Sequence, residues 1–125
     1  MAIKALEYIS RYAEYKRAIH ELARKAAVLE VIADKQDNQK IKKEALQEVD
    51  LIKSKIGHLM ALQEEIEKTV WQCAPQDKAR ILRLHYFNGE SFREIARNHN
   101  RKTDFIKSQH DEAMQSLQHV LDRRE

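Results

Sequence analysis

Basic side chains cluster in one short segment near the C-terminal end of the 125-residue chain. Between Arg93 and His110 there are five basic residues against only two acidic ones, Glu94 and Asp104. Such a local excess of positive charge attracts polyanions, including the phosphates of nucleic acid. The chain as a whole carries a formal net charge of +3, which permits a polyanionic partner without requiring one. The five basic residues are Arg93, Arg97, Arg101, Lys102 and Lys107.

Other residue types that carry chemistry show no pattern typical of a catalytic or metal site. Glu64, Glu65 and Glu67 belong to a charged helix face rather than to a catalytic pair of carboxylates. The six histidines lack the spacing of metal ligands, and the chain has neither a glycine-rich phosphate loop nor an activated-nucleophile motif. We therefore expect a protein that is not an enzyme, with no catalytic residue, no metal and no cofactor.

The chain is predicted to be cytoplasmic and to have no membrane partner. No stretch reaches the roughly 18 consecutive apolar residues that a membrane span needs, and the N-terminus lacks the continuous apolar core of a secretory signal. Cys73 is the only cysteine, so it forms no intramolecular disulfide and suits a reducing compartment.

The elements that position these side chains are predicted to be α-helices throughout. Only 2 Gly and 1 Pro are available for turns, and charged residues make up 34% of the chain. Two stretches repeat apolar residues at alternating spacings of four and three, the pattern of a coiled-coil seam. The first seam runs through Tyr8, Tyr12, Tyr15, Ile19, Leu22, Ala26, Leu29 and Ala33. The second seam runs through Ala45, Val49, Ile52, Ile56, Leu59, Gln63, Ile66 and Val70.

A polar segment, residues 34–39, separates the two seams and contains two good helix N-caps, Asp37 and Asn38. We expect helices over about residues 2–34 and 40–72 to fold back on each other as an antiparallel hairpin. Because small and polar residues interrupt the seams, the hairpin is expected to gain from a second copy, for instance as a four-helix bundle. Residues 1–74 are thus predicted to form a coiled-coil hairpin that dimerises or binds a partner.

Residues 75–125 are predicted to form a three-helix head. Pro75 marks its start, because proline ends a helix interior but suits a first helical turn. A helix over residues 77–87 is expected to end where Asn88 and Gly89 offer a left-handed backbone position. Ser91, followed three residues later by a glutamate, matches the S-x-x-E capping box and predicts a sharp helix start.

The spacing of three residues in this head matches a helix-turn-helix. Two short helices that cross at a tight turn need a small residue where they touch, a turn residue that tolerates positive φ, and an apolar anchor on the second helix. Ala96, Asn100 and Ile106 fill these roles as the fifth, ninth and fifteenth residues counted from Phe92. The helix after the turn is predicted to have Thr103 as its N-cap.

In the usual docking of this motif, the N-terminal end of the second helix enters the major groove. Arg101 and Lys102 are then nearest the phosphates, whereas Phe105 and Ile106 face inward. Asp104 could accept a hydrogen bond from a cytosine amino group, or it could simply complement the helix dipole. The candidate DNA-contacting residues are Arg93, Arg97, Arg101, Lys102, Thr103, Asp104, Lys107, Ser108 and Asp111.

The segment from Lys78 to Leu121 resembles region four of the bacterial sigma factors, the module that reads the upstream promoter element. The resemblance rests on the block ILRLHYFNGESFREIA and on IKS at residues 106–108. It implies double-stranded DNA as a partner, with RNA polymerase as a further one to consider. That family usually has Gly and an apolar residue where this chain has Asn100 and Arg101. The order of a coiled coil and a sigma-like segment also resembles small phage-encoded transcriptional regulators.

These observations predict a sequence-specific DNA-binding regulator of transcription, dimeric or partner-bound through its hairpin. Two alternatives stay open. One is an adaptor that docks on RNA polymerase or another regulator without touching DNA, which the acidic Asp104, Asp111 and Glu112 favour. The other is a recognition subunit of a phage DNA-packaging machine, which also pairs a helix-turn-helix with an oligomerising coiled coil. Arg93 and Arg97 also suit a plain solvated helix face.

Overall fold

The computed structural model describes residues 3–124, and every regular element in that range is helical. The predicted all-α class is therefore confirmed. No helix in this range is long and apolar enough to cross a bilayer. The elements are α1 (Ala5–Lys35), α2 (Gln39–Cys73), α3 (Gln76–Leu82), a π-helical segment (Arg83–Phe87), α4 (Phe92–Asn98) and α5 (Thr103–Arg123).

The break between α1 and α2 lies in the polar segment that predicted it. The Oδ1 atom of Asn38 accepts hydrogen bonds from the backbone N–H groups of Lys40 at 3.0 Å and Ile41 at 3.3 Å, so Asn38 caps the start of α2. The predicted start at Ala2 lies outside the described residues. The other three predicted bounds of these long helices differ from the observed ones by a single residue.

The break between α2 and α3 lies at Pro75, the predicted start of the head. Pro75 has no N–H to donate, but its carbonyl accepts bonds from Lys78 at 3.0 Å and Ala79 at 2.9 Å and so opens α3. The predicted helix over residues 77–87 is not a uniform α-helix. Its second half, Arg83–Phe87, is π-helical. The Asn88 N–H bonds to the Arg83 carbonyl five residues earlier, one residue further than in an α-helix, which changes the direction of the side chains that follow.

The described residues form two compact units. The central unit comprises Glu14–Gln63, and the terminal unit comprises the residues up to Ala13 together with those from Glu64 onward. Both α1 and α2 therefore contribute one part to each unit.

The central unit has a narrow apolar core between its parts of α1 and α2. Ala26, Val49 and Ile52 are buried there, and Leu22, Leu29 and Ile56 pack against them. The Lys53 ammonium lies 3.0 Å from a carboxylate oxygen of Glu30, which places these two residues beside each other on neighbouring helices. Along the whole length of both predicted seams no seam residue is exposed, so the seams pack within the chain.

The terminal unit packs α3, α4 and α5 around a core that includes Ile81, Ile95, Ala96 and Ile106. The start of α1 belongs to this unit and contacts it through Tyr12, whose ring stacks on Phe87 with centroids 4.1 Å apart.

Hydrogen bonds between distant parts of the sequence also hold the terminal unit together. The Tyr12 hydroxyl donates to Glu67 at 2.8 Å. The Gln118 side chain accepts from the Ala5 N–H at 2.7 Å and donates to the Ile3 carbonyl at 3.1 Å. These bonds tie the first turn of α1 to α5.

Candidate nucleic-acid interface

The start of α4 is fixed by the predicted capping box. The Ser91 hydroxyl accepts a hydrogen bond from the Glu94 N–H at 3.1 Å, and the Glu94 carboxylate accepts one from the Ser91 N–H at 3.3 Å. With the helix begun at this point, Ile95 and Ala96 are buried while Arg93 and Arg97 are exposed. The capping box thus sets which face of α4 carries its two arginines.

The turn after α4 depends on Asn100, which has the only positive φ of a non-glycine residue in the described range, at 53°. The Arg101 N–H donates to the Ala96 carbonyl at 2.9 Å, and the Asn100 N–H donates to the Arg97 carbonyl at 3.3 Å. This pair of bonds is the Schellman motif, which normally has glycine where this chain has Asn100. The prediction that Asn100 adopts the left-handed conformation is confirmed.

The start of α5 differs from the prediction by one residue. Lys102 has extended backbone angles and is the N-cap, but its side chain makes no capping hydrogen bond. Thr103 is instead the first helical residue. The Arg101 N–H makes the last hydrogen bond of the preceding turn, so Lys102 is the single extended residue before α5. The first turn of α5 therefore offers backbone N–H groups without a side-chain cap, with Asp104 nearby.

The prediction that Phe105 faces inward is wrong, whereas the same prediction for Ile106 is confirmed. Ile106 is 2% exposed and Phe105 is 42% exposed. Successive helical residues point about 100° apart, so two neighbours cannot both centre on the buried line of α5 through Ile106, Ala113 and Leu117. The Arg101 guanidinium lies over the exposed Phe105 ring, 4.8 Å from its centroid.

A shallow groove of about 260 Å³ runs beside this pair. Arg80 of α3 lines it together with Arg101 and Phe105. Arg80 is exposed and adds a cation to the surface, yet no spacing in the sequence links it to residues 93–110. Only the packing of α3 against α5 brings it there.

The structure brings most of the predicted DNA-contacting residues to the surface of α4, the turn and the first half of α5. Eight of the nine are exposed, and Thr103 is half-buried. Within residues 3–124, no ion pair involves any of the five basic residues of this segment. Their charges are therefore available to an external anion.

Two acidic residues of α5 are already engaged within the terminal unit. Glu112 forms an ion pair with Lys78, and this hydrogen bond raises the pKa of the Lys78 ammonium. Asp111 accepts a hydrogen bond from Nδ1 of His110 at 2.9 Å. Asp104 is exposed, and no ion pair within residues 3–124 includes it.

An aromatic cluster anchors α5 to the π-helical segment. The Tyr86 hydroxyl lies 2.8 Å from Nε2 of His110. Because Nδ1 keeps its proton and donates a hydrogen bond to Asp111, Nε2 is free to accept one from Tyr86. Burial, followed by the negative charge of Asp111, raises the pKa of Tyr86. His85 stacks on Phe92 with centroids 4.2 Å apart. The π-helical geometry thus places two consecutive side chains against other helices.

No three His, Cys, Asp or Glu side chains within residues 3–124 are grouped as a metal ion would require. Burial raises the pKa of the Cys73 thiol to about 11, so it is protonated near neutral pH and a poor nucleophile.

Comparison of the chain with models of protein families, with curated proteins and with solved structures gives no match.

Proposed function

We propose that the protein is a sequence-specific double-stranded DNA-binding regulator of transcription, in which α4, the turn and α5 act as a helix-turn-helix. One observation carries this proposal. Five exposed cations that form no ion pair within residues 3–124 surround a turn with three predicted key positions. Ala96, Asn100 and Ile106 have the burial and backbone angle that the motif requires.

The proposed mechanism depends on the side chains and backbone N–H groups that are exposed in the first half of α5. Lys107 and Ser108 are exposed one turn from its start, within reach of base edges if this end enters the major groove. Arg101 and Lys102 precede the helix and pair with phosphates, which set its register. The uncapped N–H groups of the first turn favour a phosphate at the same end.

Phe105 and Arg80 extend this surface beyond the residues predicted from the sequence. An exposed aromatic ring beside the first turn can contact a thymine methyl group. Arg101 covers one side of the ring and presents its guanidinium to the backbone. Arg80, across the adjacent groove, is a further candidate for a phosphate contact.

The resemblance to sigma region four supports promoter or operator DNA as the target, and it makes RNA polymerase a second candidate partner. A phage origin belongs to the same proposal.

The second candidate function is an adaptor that docks on RNA polymerase or another regulator without DNA contact. The exposed Phe105 favours it, because aromatic side chains are enriched at protein interfaces. The acidic residues of α5 give this function less support, because Glu112 is paired with Lys78 and Asp111 is hydrogen-bonded to His110.

Selection of bound duplexes from a random DNA pool, followed by sequencing, separates the two functions. The DNA-reading proposal expects one enriched motif with the parent protein and no enrichment with the Lys107→Glu variant. An Arg123→Glu variant is the matched control, because it reverses an exposed charge at the opposite end of α5. If the parent enriches no motif, the adaptor function is favoured.

A further inference from the structure

One face of α2 in the central unit carries seven residues at spacings of three and four, beside the seam but not part of it. We call it the self-complementary row. Residues spaced alternately three and four apart lie on the same side of an α-helix, so the row follows one side of α2 for about 30 Å. In order it consists of Ile41, Glu44, Glu48, Leu51, Lys55, His58 and Leu62.

The self-complementary row is open to solvent. Leu51 is 52% exposed and Ile41 is 45% exposed, and both of these large apolar side chains lie away from the buried core of the unit. Glu48 and Leu62 are half-buried, and the remaining members of the row are exposed. Within residues 3–124 no ion pair engages Glu48 or Lys55.

The chemistry of the row is symmetric about Leu51. From Leu51 toward the N-terminus, the row has two acidic residues and then an apolar one. Toward the C-terminus, it has Lys55, a histidine and then an apolar residue. A row with this order complements its own reverse. If a second copy is laid antiparallel along it, Glu48 meets Lys55, Glu44 meets His58, Ile41 meets Leu62, and Leu51 meets Leu51.

The neighbouring part of α1 adds apolar surface where the centre of the row lies. Glu30 and Lys53 are paired side by side, so Val28 and Ile32 lie at about the level of Leu51 and Lys55. Val28 is 54% exposed and Ile32 is 46% exposed. A concavity of about 400 Å³, lined by Leu51, Lys55 and His58 among others, provides a recess on the same face.

We propose that a second copy of this chain docks antiparallel on the self-complementary row, with a twofold axis at Leu51. Twofold symmetry requires a patch that matches itself, and this row does so in its apolar residues and in the opposite charges of Glu48 and Lys55. The apolar side chains supply the attraction, whereas the Glu48 and Lys55 pairs fix the antiparallel register, as flanking charges do in coiled coils. This proposal goes beyond DNA binding, because it concerns residues of the central unit alone.

Charge reversal across the twofold axis tests the proposal through the mass of the protein in solution. In a Glu48→Lys dimer each new lysine faces Lys55 of the other copy, and in a Lys55→Glu dimer each new glutamate faces Glu48. Each variant alone should therefore raise the dimer dissociation constant about tenfold or more. An equimolar mixture of the two variants should restore the parent value, because every pair in the mixed dimer then joins opposite charges.

Sedimentation equilibrium of the full chain without DNA gives these constants, with the helical circular dichroism signal of each variant as the check on folding. Lys43→Glu is the control, because Lys43 is exposed on α2 outside the row, and it should change nothing. A parent that is monomeric up to its solubility limit, single variants that dimerise as the parent does, or a mixture that fails to recover would each overturn the proposal. Because DNA is absent, none of these results bears on whether the terminal unit reads DNA.

Discussion

The central and terminal units are built from the same kind of helix but are stabilised differently. Five of the six largest fully buried side chains belong to the terminal unit, whereas only Ile52 belongs to the central one. In the terminal unit several helices meet around one core, and in the central unit two helices share a narrow line of contacts. A segment with so little internal burial leaves apolar surface for a partner, and a unit with a full core can hold surface side chains in fixed positions.

The largest effect is expected when one leucine is truncated in each unit, and the difference between the two losses of stability tests this comparison. Leu117→Ala removes a side chain that is 0% exposed in the terminal unit, and it should lower the free energy of unfolding by about 2 to 5 kcal/mol. Leu22→Ala in the central unit removes a half-buried side chain and should cost clearly less. Urea denaturation followed by circular dichroism measures both. Equal decreases would show that the two units are packed alike.

A smaller effect is expected at the turn that joins α4 to α5. Asn100→Val forces a β-branched residue to φ near 53°, which should cost about 1 to 2 kcal/mol. Asn100→Gly should be neutral or slightly stabilising, because glycine adopts this conformation without strain. Thermal unfolding of the two variants checks the sign of each change. A tolerated valine would mean that the turn does not require the left-handed conformation.

The smallest effect concerns the two helix starts on either side of that turn. Ser91→Ala removes the capping bond to Glu94 and should destabilise the protein by about 1 kcal/mol. Lys102→Ala is the matched control at the N-cap of α5, where the side chain makes no capping bond, and it should change stability far less. Chemical denaturation resolves the difference. If both substitutions cost the same, the capping box does not fix the start of α4.

What the sequence predicted well depends on local or periodic signals. The seams, the cap at Ser91, the left-handed Asn100 and the break at Pro75 each depend on residues within a few positions of one another. Hydrogen bonding and backbone sterics act over that same range, which is why these features can be read from a single chain.

What the sequence did not predict depends on contacts between distant segments. The stacking of Tyr12 on Phe87 joins the start of α1 to the terminal unit across residues far apart in the chain. Arg80 reaches the groove beside Arg101 only because α3 packs on α5. The π-helical segment lacks a signal in composition, and its residues are fixed by partners such as His110. The prediction that Phe105 faces inward is wrong because it assigned both Phe105 and its neighbour Ile106 to the core, although adjacent helical residues point in different directions.

The proposed DNA-reading surface is tested most directly by the binding of charge-reversal variants to a duplex that carries the selected motif, over a range of salt concentrations. Lys107→Glu should weaken binding by about 10- to 100-fold, since it removes an interaction worth about 1 to 3 kcal/mol. The double variant Arg101→Glu with Lys102→Glu should weaken binding to all duplexes and flatten the logarithmic salt dependence by about one unit for each phosphate that the protein no longer neutralises. Arg123→Glu should bind as the parent does, and all variants should keep the parent's thermal midpoint. Parent-like binding by both interface variants, or a parent whose DNA binding does not depend on salt, would contradict the assignment of this surface to DNA.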